Sequence, residues 1–217
     1  MDVYTSEEQQ IEAIKKWWQK NAKAIIGGIV LGLAIVFGGR AWMDYRSSHA
    51  ASASIQYETM MTAMDQGMDE VALQQGGSII GKYSDTPYAP LAELATAKIK
   101  LKQGDTTAAR THLRWALDNA KNAEIQNIAR LRLARVMLND GEYQQALALL
   151  GEKDPGGFLS AYEELKGDTY IALAKPDKAR ESYQKALNSL DPKSRDRSVL
   201  QMKLDDVDAG NKAGDSQ

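Results

Sequence analysis

The chain has 217 residues, of which 27 are basic and 29 acidic, giving a net charge of −2; it contains two histidines and no cysteine. Without cysteine there are no disulfides, thiolate zinc sites or cysteine nucleophiles, and a near-balanced charge gives no reason to expect nucleic acid as a partner. Gly-rich phosphate loops, nucleophile elbows and metalloprotease helices are absent, and His49 and His112 stand too far apart for a local metal motif, so neither an enzyme nor a cofactor is expected.

At the N-terminus, Thr5 with Glu8, or Ser6 with Gln9, has capping-box spacing ahead of Ile11, Ile14 and Trp18 on one helical face. Residues 1–23 are therefore expected to form an amphipathic helix. From Ala24 to Gly39 every charge disappears. As a helix this run spans about 24 Å, slightly less than a bilayer's apolar core. Its flanks supply the difference, because Lys23 and Arg40 can extend to the headgroups and Trp17, Trp18 and Trp42 sit where an interfacial aromatic belt would lie.

A buried core helix would not be framed by rings and charges in this way. A cleaved signal peptide would need its small-residue site close behind the apolar run, and Ala51-Ser52-Ala53 lies beyond Arg40, Asp44 and Arg46. Residues 24–42 thus read as an uncleaved transmembrane anchor. Lys15, Lys16, Lys20 and Lys23 precede it and only Arg40 and Arg46 closely follow. That asymmetry predicts a cytoplasmic N-terminus in the inner membrane of a bacterium and a periplasmic C-terminal domain. Along the anchor, Ala24, Gly27, Gly28, Gly32, Ala34, Gly38 and Gly39 fall within about 160° of the circumference, with Leu31 and Ile35 between them. Small residues of this spacing let helices approach closely, so the side is expected to pack on a partner's transmembrane helix.

The remainder, 43–207, reads as all-α. Ala53 to Gln66 and Asp69 to Tyr83 suggest an atypical first hairpin, in which Tyr57, Met60, Met61, Met64 and Met68 recur at helical spacing. They fit a core stripe or an adaptable apolar surface. Three later segments align: "LATAKIKLKQGDTTAARTHLRWAL", "RLARVMLNDGEYQQALALL" and "LKGDTYIALAKPDKARESYQKAL". Each has a helix, a short turn and a second helix with alanine at one offset: Ala109, Ala146 and Ala179, 37 and 33 residues apart. Twelve positions earlier stand Ala97, Ala134 and Gly167, also small. Helices meet closely there, and Leu113, Leu150 and Tyr183 fill the space to the next unit.

This arrangement resembles the tetratricopeptide repeat, whose period is about 34 residues. In the second unit Lys153 departs from the pattern, and "GEKDPGG" predicts a loop near Asp154 to Gly157. Ser194 to Val207 reads as a closing helix and residues 208–217 as a flexible tail. In such a stack the first helix of each hairpin lines a concave groove. The expected protein-binding residues are Lys98, Leu101 and Lys102, then Arg135, Leu138 and Asn139, and finally Asp168.

The lysine-rich N-terminal helix with paired aromatics, the Gly-rich anchor, the repeat domain, "RLRLARVML" (Arg130 to Leu138) and "QMKLDDV" (Gln201 to Val207) together resemble the YfgM family, ancillary subunits of the SecYEG translocon. The resemblance covers nearly the whole chain. It implies an inner-membrane protein beside the translocon, working with the periplasmic chaperone PpiD on newly exported proteins. Two other classes stay open: an envelope assembly scaffold without client binding, and a stress-signalling regulator acting through the cytoplasmic N-terminus.

Overall fold

A computed structural model describes residues 5–151 and 155–214, with side chains over 9–151 and 155–209. The expected capping residues Thr5, Ser6 and Glu8, and also Lys153 and Asp154, lie outside the described side chains. Helix α1 (Thr5–Asp65) is a single helix that passes without a break through both boundaries expected for the anchor, 23/24 and 42/43. The chain divides into two compact units at Ala51/Ser52.

In the first unit the large apolar side chains are exposed. Leu31, Ile35 and Phe37 are 63%, 66% and 67% exposed, and Trp17, Trp18 and Trp42 are at least half exposed. Among the described residues one helix is long and apolar enough to cross a membrane, and it is this one, none of whose apolar span is buried within the chain. Local bonds support it, with Lys16 pairing to Glu12 at 3.8 Å and Asn21 Nδ2 donating to the Trp17 carbonyl at 2.8 Å.

The second unit begins with the last turns of α1 and continues through α2 (Asp69–Tyr83), α3 (Tyr88–Lys102), α4 (Thr106–Asn119), α5 (Ala123–Asn139), α6 (Tyr143–Gly151), α7 (Leu159–Ala172), α8 (Pro176–Ser189) and α9 (Asp196–Gly214). A short 3₁₀ turn, Gly156–Phe158, leads into α7. Each helix from α2 to α9 packs on the next along the chain, and α5 also meets α7. This is a stack of antiparallel hairpins whose buried apolar residues gather in three clusters, one across α1 to α3, a central one across α3 to α7 and one between α8 and α9. Helix α9 runs beyond Val207 as far as Gly214, and Asp208 is held by Arg180 Nε at 2.5 Å.

One turn design recurs. Gly67, Gly104, Gly141 and Ala174 close the first helix of successive hairpins with φ of 73°, 80°, 80° and 54°. At each, the N–H bonds a carbonyl three residues back and the next N–H bonds one five residues back. The pairs are Gly104 to Leu101 at 3.0 Å with Asp105 to Lys100 at 2.9 Å, and Ala174 to Ile171 at 2.9 Å with Lys175 to Tyr170 at 2.9 Å. That is a Schellman motif, which satisfies carbonyls a helix end would leave open. Start signals follow directly: the Asp105 side chain accepts from Ala108 N–H, and Pro176 occupies the first turn of α8.

Inside the hairpins the expected small positions are all buried: Ala97, Ala134 and Gly167 on the first helix, Ala109, Ala146 and Ala179 on the second. At Gly167 the requirement is strict. A Cβ there would lie 2.3 Å from Cε1 of Tyr183. The first hairpin solves the same problem in reverse. Met60, fully buried, stands 37 positions before Ala97, and Gly76 stands 37 before Leu113. The large residue has moved to the first helix and the small one to the second; a Cβ on Gly76 would meet Thr96 Oγ1 at 2.9 Å and Met60 Cε at 3.1 Å. Of the methionine stripe, Met60 is therefore core, Met61 and Met64 are half-buried, and Met68 is exposed.

Polar contacts tie hairpins together. Arg110 on α4 donates to both Glu142 oxygens, at 2.5 and 2.7 Å, at the start of α6. Those bonds hold the Glu142 carboxyl below its ordinary range. On α3, burial pushes the Glu93 carboxyl up, and its contact with His112 Nδ1 on α4 holds it back in part.

Ala174 is the exception among the four turns, because its Cβ disfavours a left-handed backbone by about 1–2 kcal/mol. Changing it to glycine removes that penalty and adds some unfolded-state entropy. Ala174→Gly should stabilise the domain by about 1 kcal/mol. Denaturant unfolding followed by far-ultraviolet circular dichroism checks this, and unchanged or reduced stability would contradict the account of the turn.

Candidate protein-binding groove

Repeat spacing sets side chains in rows along the first helices of the hairpins. One row is Met61, Lys98, Arg135 and Asp168; another is Tyr57, Leu94, Leu131 and Glu164; a third is Met64, Leu101, Leu138 and Ile171. Between α1, α3 and α5 these rows border a series of hollows that share Lys98. One of about 210 Å³ is walled by Tyr57, Met61, Met64, Leu94, Ile128 and Arg132. A second, about 300 Å³, lies over Leu94, Ala97, Leu101 and Leu113, again beneath Lys98 and Arg132. A third, about 320 Å³, has Met61, Met64, Lys98 and Lys102 on its walls together with Asp65 and Asp69.

The expected residues divide into three groups. Lys98, Leu101 and Lys102 come together here, Leu101 being 40% exposed on an apolar floor. Lys102 is engaged by Asp69 at 2.7 Å. Arg135 and Asn139 are exposed on α5, and Leu138 is partly buried against the central core. Asp168 has a different environment. It accepts from Tyr183 Oη at 2.8 Å and from Lys203 Nζ at 2.8 and 2.9 Å, and Lys203 also reaches Glu164 at 2.7 Å. Helix α9 thus places one cation between Glu164 and Asp168 of α7. Burial opposes the charge on Lys203, yet these bonds prevail and raise its pKa. Burial, then the bond to Asp168, pushes the Tyr183 phenol far up.

Arg132, Tyr57, Met61 and Met64 belong to the hollows and were absent from the expected groove. Arg132 lies one helical turn before Arg135, and its charge partly offsets the burial that raises the Tyr57 phenol. The methionine spacing was a visible signal, and carrying the 37-residue offset back from Lys98 and Leu101 leads to Met61 and Met64.

Chemically the hollows offer apolar side chains for contact, with Lys98 and Arg132 at the rim to meet carboxylates or carbonyl oxygens. Comparison with known proteins agrees with such an architecture. A family profile for a tetratricopeptide repeat-like domain matches residues 15–209. The ancillary SecYEG translocon subunit of Haemophilus influenzae is 31% identical over 202 residues, covering 93% of this chain and 97% of that protein. The chain belongs to the YfgM family of ancillary SecYEG translocon subunits. The Escherichia coli K12 member is 25% identical, covering 95% of this chain and 99% of its own length. Among solved structures, a MamA fragment from Desulfovibrio magneticus RS-1 matches with a TM-score of 0.53 at 19% identity, over 74% of this chain and 96% of that one. At that identity the likeness shows the fold alone. The family's all-α plan, one apolar N-terminal helix followed by a tetratricopeptide-like solenoid, fits a membrane-anchored protein.

The cluster on α7 and α9 has a measurable consequence. Replacing Lys203 with methionine leaves Asp168 and Glu164 side by side without their cation. Lys203→Met should destabilise the domain by about 2 kcal/mol, and adding Asp168→Asn should recover part of the loss. Thermal unfolding of the full chain in nanodiscs tests both, and additive losses in the double variant would show the groups to be uncoupled.

Proposed function

We propose that this protein is a non-catalytic inner-membrane subunit that works beside the SecYEG translocon, with PpiD, on newly exported proteins, using the concave groove to hold extended segments. The N-terminus is cytoplasmic and the helical domain periplasmic. Membership of the YfgM family supports the association with the translocon, and the excess of lysines before the apolar part of α1 supports the orientation. The observation that carries the reading is the pair of hollows lined by both Lys98 and Arg132 over apolar side chains, neither of these cations having an ion-pair partner among the described residues. Such a surface suits varied partners, since half-buried Met61 and Met64 can adjust to different side chains.

Reversing Lys98 and Arg132 to glutamate should lower crosslinking of the domain to PpiD or to exported chains by about tenfold, equivalent to about 1.4 kcal/mol. Thermal stability should stay nearly unchanged, because both side chains line open space. Equal crosslinking in the double variant would overturn the groove as the binding surface.

The anchor supplies a second contact. A Cβ added at Gly27, Gly28, Gly32, Gly38 or Gly39 meets nothing within 4 Å, so the small-residue side has room for a close neighbour that is not part of this chain. With Ala24 and Ala34 it forms the packing face for a transmembrane helix of PpiD or the translocon. Gly28→Leu with Gly32→Leu should weaken co-isolation of SecYEG and PpiD from gently solubilised membranes several-fold while preserving insertion. Intact complexes from that variant would place the contact on the helical domain alone.

A further inference from the structure

The solenoid leaves one inter-hairpin surface uncovered, and the repeat itself shows what kind of element fits it. Ile55, Thr59 and Thr62 lie on one face of α1 at i, i+4 and i+7. The same register gives Ala92, Thr96 and Ile99 on α3 and Ala129, Leu133 and Val136 on α5, all buried. On α7 it gives Tyr162 and Thr169, both fully buried, with Lys166 between them. In each later case the second helix of the hairpin before packs on that first helix, α2 on α3, α4 on α5 and α6 on α7, and on α7 the Tyr162 hydroxyl also reaches Asn127 Oδ1 of α5 at 2.9 Å.

No helix of the second unit precedes the last turns of α1. Ile55 is accordingly 65% exposed, and Met68 and Val71 beside it are 43% and 41% exposed. Terminal repeats ordinarily turn a polar face to water. Here the face frames an open cavity of about 360 Å³ bordered by Ile55, Thr59, Thr62, Met68 and Val71. Its threonines are already prepared for cover. Thr59 Oγ1 donates to the Ile55 carbonyl at 2.9 Å and Thr62 Oγ1 to the Glu58 carbonyl at 2.9 Å, which ties down both hydroxyl donors without solvent. The charged side chain on the cavity wall is Glu58, exposed and without an ion-pair partner among the described residues; no basic residue accompanies it.

We infer that this end of the solenoid is a docking site for an amphipathic α-helix of a partner protein, which takes the place a preceding hairpin's second helix would fill. Two features specify the occupant. Continuity of the inter-hairpin packing demands an apolar stripe at i, i+3 or i+4, and i+7, with small residues where it crosses the threonines. Complementarity to Glu58 demands a lysine or arginine beside that stripe. The site is separate from the groove residues Lys98 and Arg132, so it stands or falls independently of the groove reading.

The test uses the full chain in nanodiscs and a fluorescent lactam-stapled helix of about four turns, with alanine and leucine along one face and two flanking lysines; a second peptide has glutamates in place of the lysines. The lysine helix should bind about tenfold more tightly than the glutamate helix. Ile55→Glu should weaken it about tenfold without changing the thermal midpoint, since that side chain is exposed. Glu58→Lys should invert the preference between the two peptides, and Lys98→Glu with Arg132→Glu should leave it unaltered. Equal affinity for the two helices, or binding insensitive to Ile55→Glu, overturns the inference. So does light scattering that shows paired copies of the chain separated by Ile55→Glu, because the occupant would then be a second copy.

Discussion

The distance between the two helices of a hairpin governs everything else in this domain, and it is set by the sizes of two facing side chains. Where one is large the other must be nearly absent. Gly167 opposite Tyr183 is the limiting case, with no room for even a methyl group. The left-handed turns fix the partners in register by ending the first helix at the same point relative to that contact. Once spacing and register repeat, so does the outward row of residues three and four positions away. The groove is therefore a consequence of the core. A change that spread one hairpin would move Lys98 relative to Arg132, although neither side chain takes part in the packing.

Much of this could be read from the sequence because the size rule leaves a compositional trace. Ala97, Ala134 and Gly167, each twelve positions before Ala109, Ala146 and Ala179, are informative together where any one alanine would not be. The first hairpin escaped the alignment for a physical reason: close approach constrains the sum of two sizes, not which helix carries the larger residue. Met60 and Gly76 satisfy it with the order reversed. A search for small residues at one fixed position passes over them. The recurrence of Gly67, Gly104 and Gly141 at a 37-residue interval was equally visible, and Ala174 obscured it by taking the same conformation without being glycine.

The groove was less legible, because its residues are selected by contacts between distant parts of the chain. Asp168 occupies the row of Lys98 and Arg135, and from sequence it reads as the acidic end of a mixed groove. Lys203, 35 positions later, comes back to bind it through α9. Spacing within the repeats carries no information about that return. Arg132, conversely, lies a turn away from the nominal row and reaches the hollows through a long side chain whose direction the pattern does not encode.

The charges then acquire a direction that neither composition nor net charge conveys. Glu164 and Asp168 are both satisfied by Lys203, so they attract little from solution. Lys98 and Arg132 stand beside apolar floors and have no ion-pair partner among the described residues. The unpaired charge along the first helices is thus positive on Lys98 of α3 and Arg132 of α5, while Lys203 offsets one of the two negative charges of Glu164 and Asp168 on α7, within a chain that is acidic overall. Leu200 deepens this asymmetry. It lies 33 positions after Gly167 and is buried, so α9 takes the place of the first helix of a further hairpin. A helix in that position closes the core behind α7 and α8 and, through Lys203 one turn on, lowers the negative charge at that end of the groove. Core closure and groove polarity are the work of one helix face, because Leu200, Lys203, Leu204 and Val207 follow one another at helical spacing.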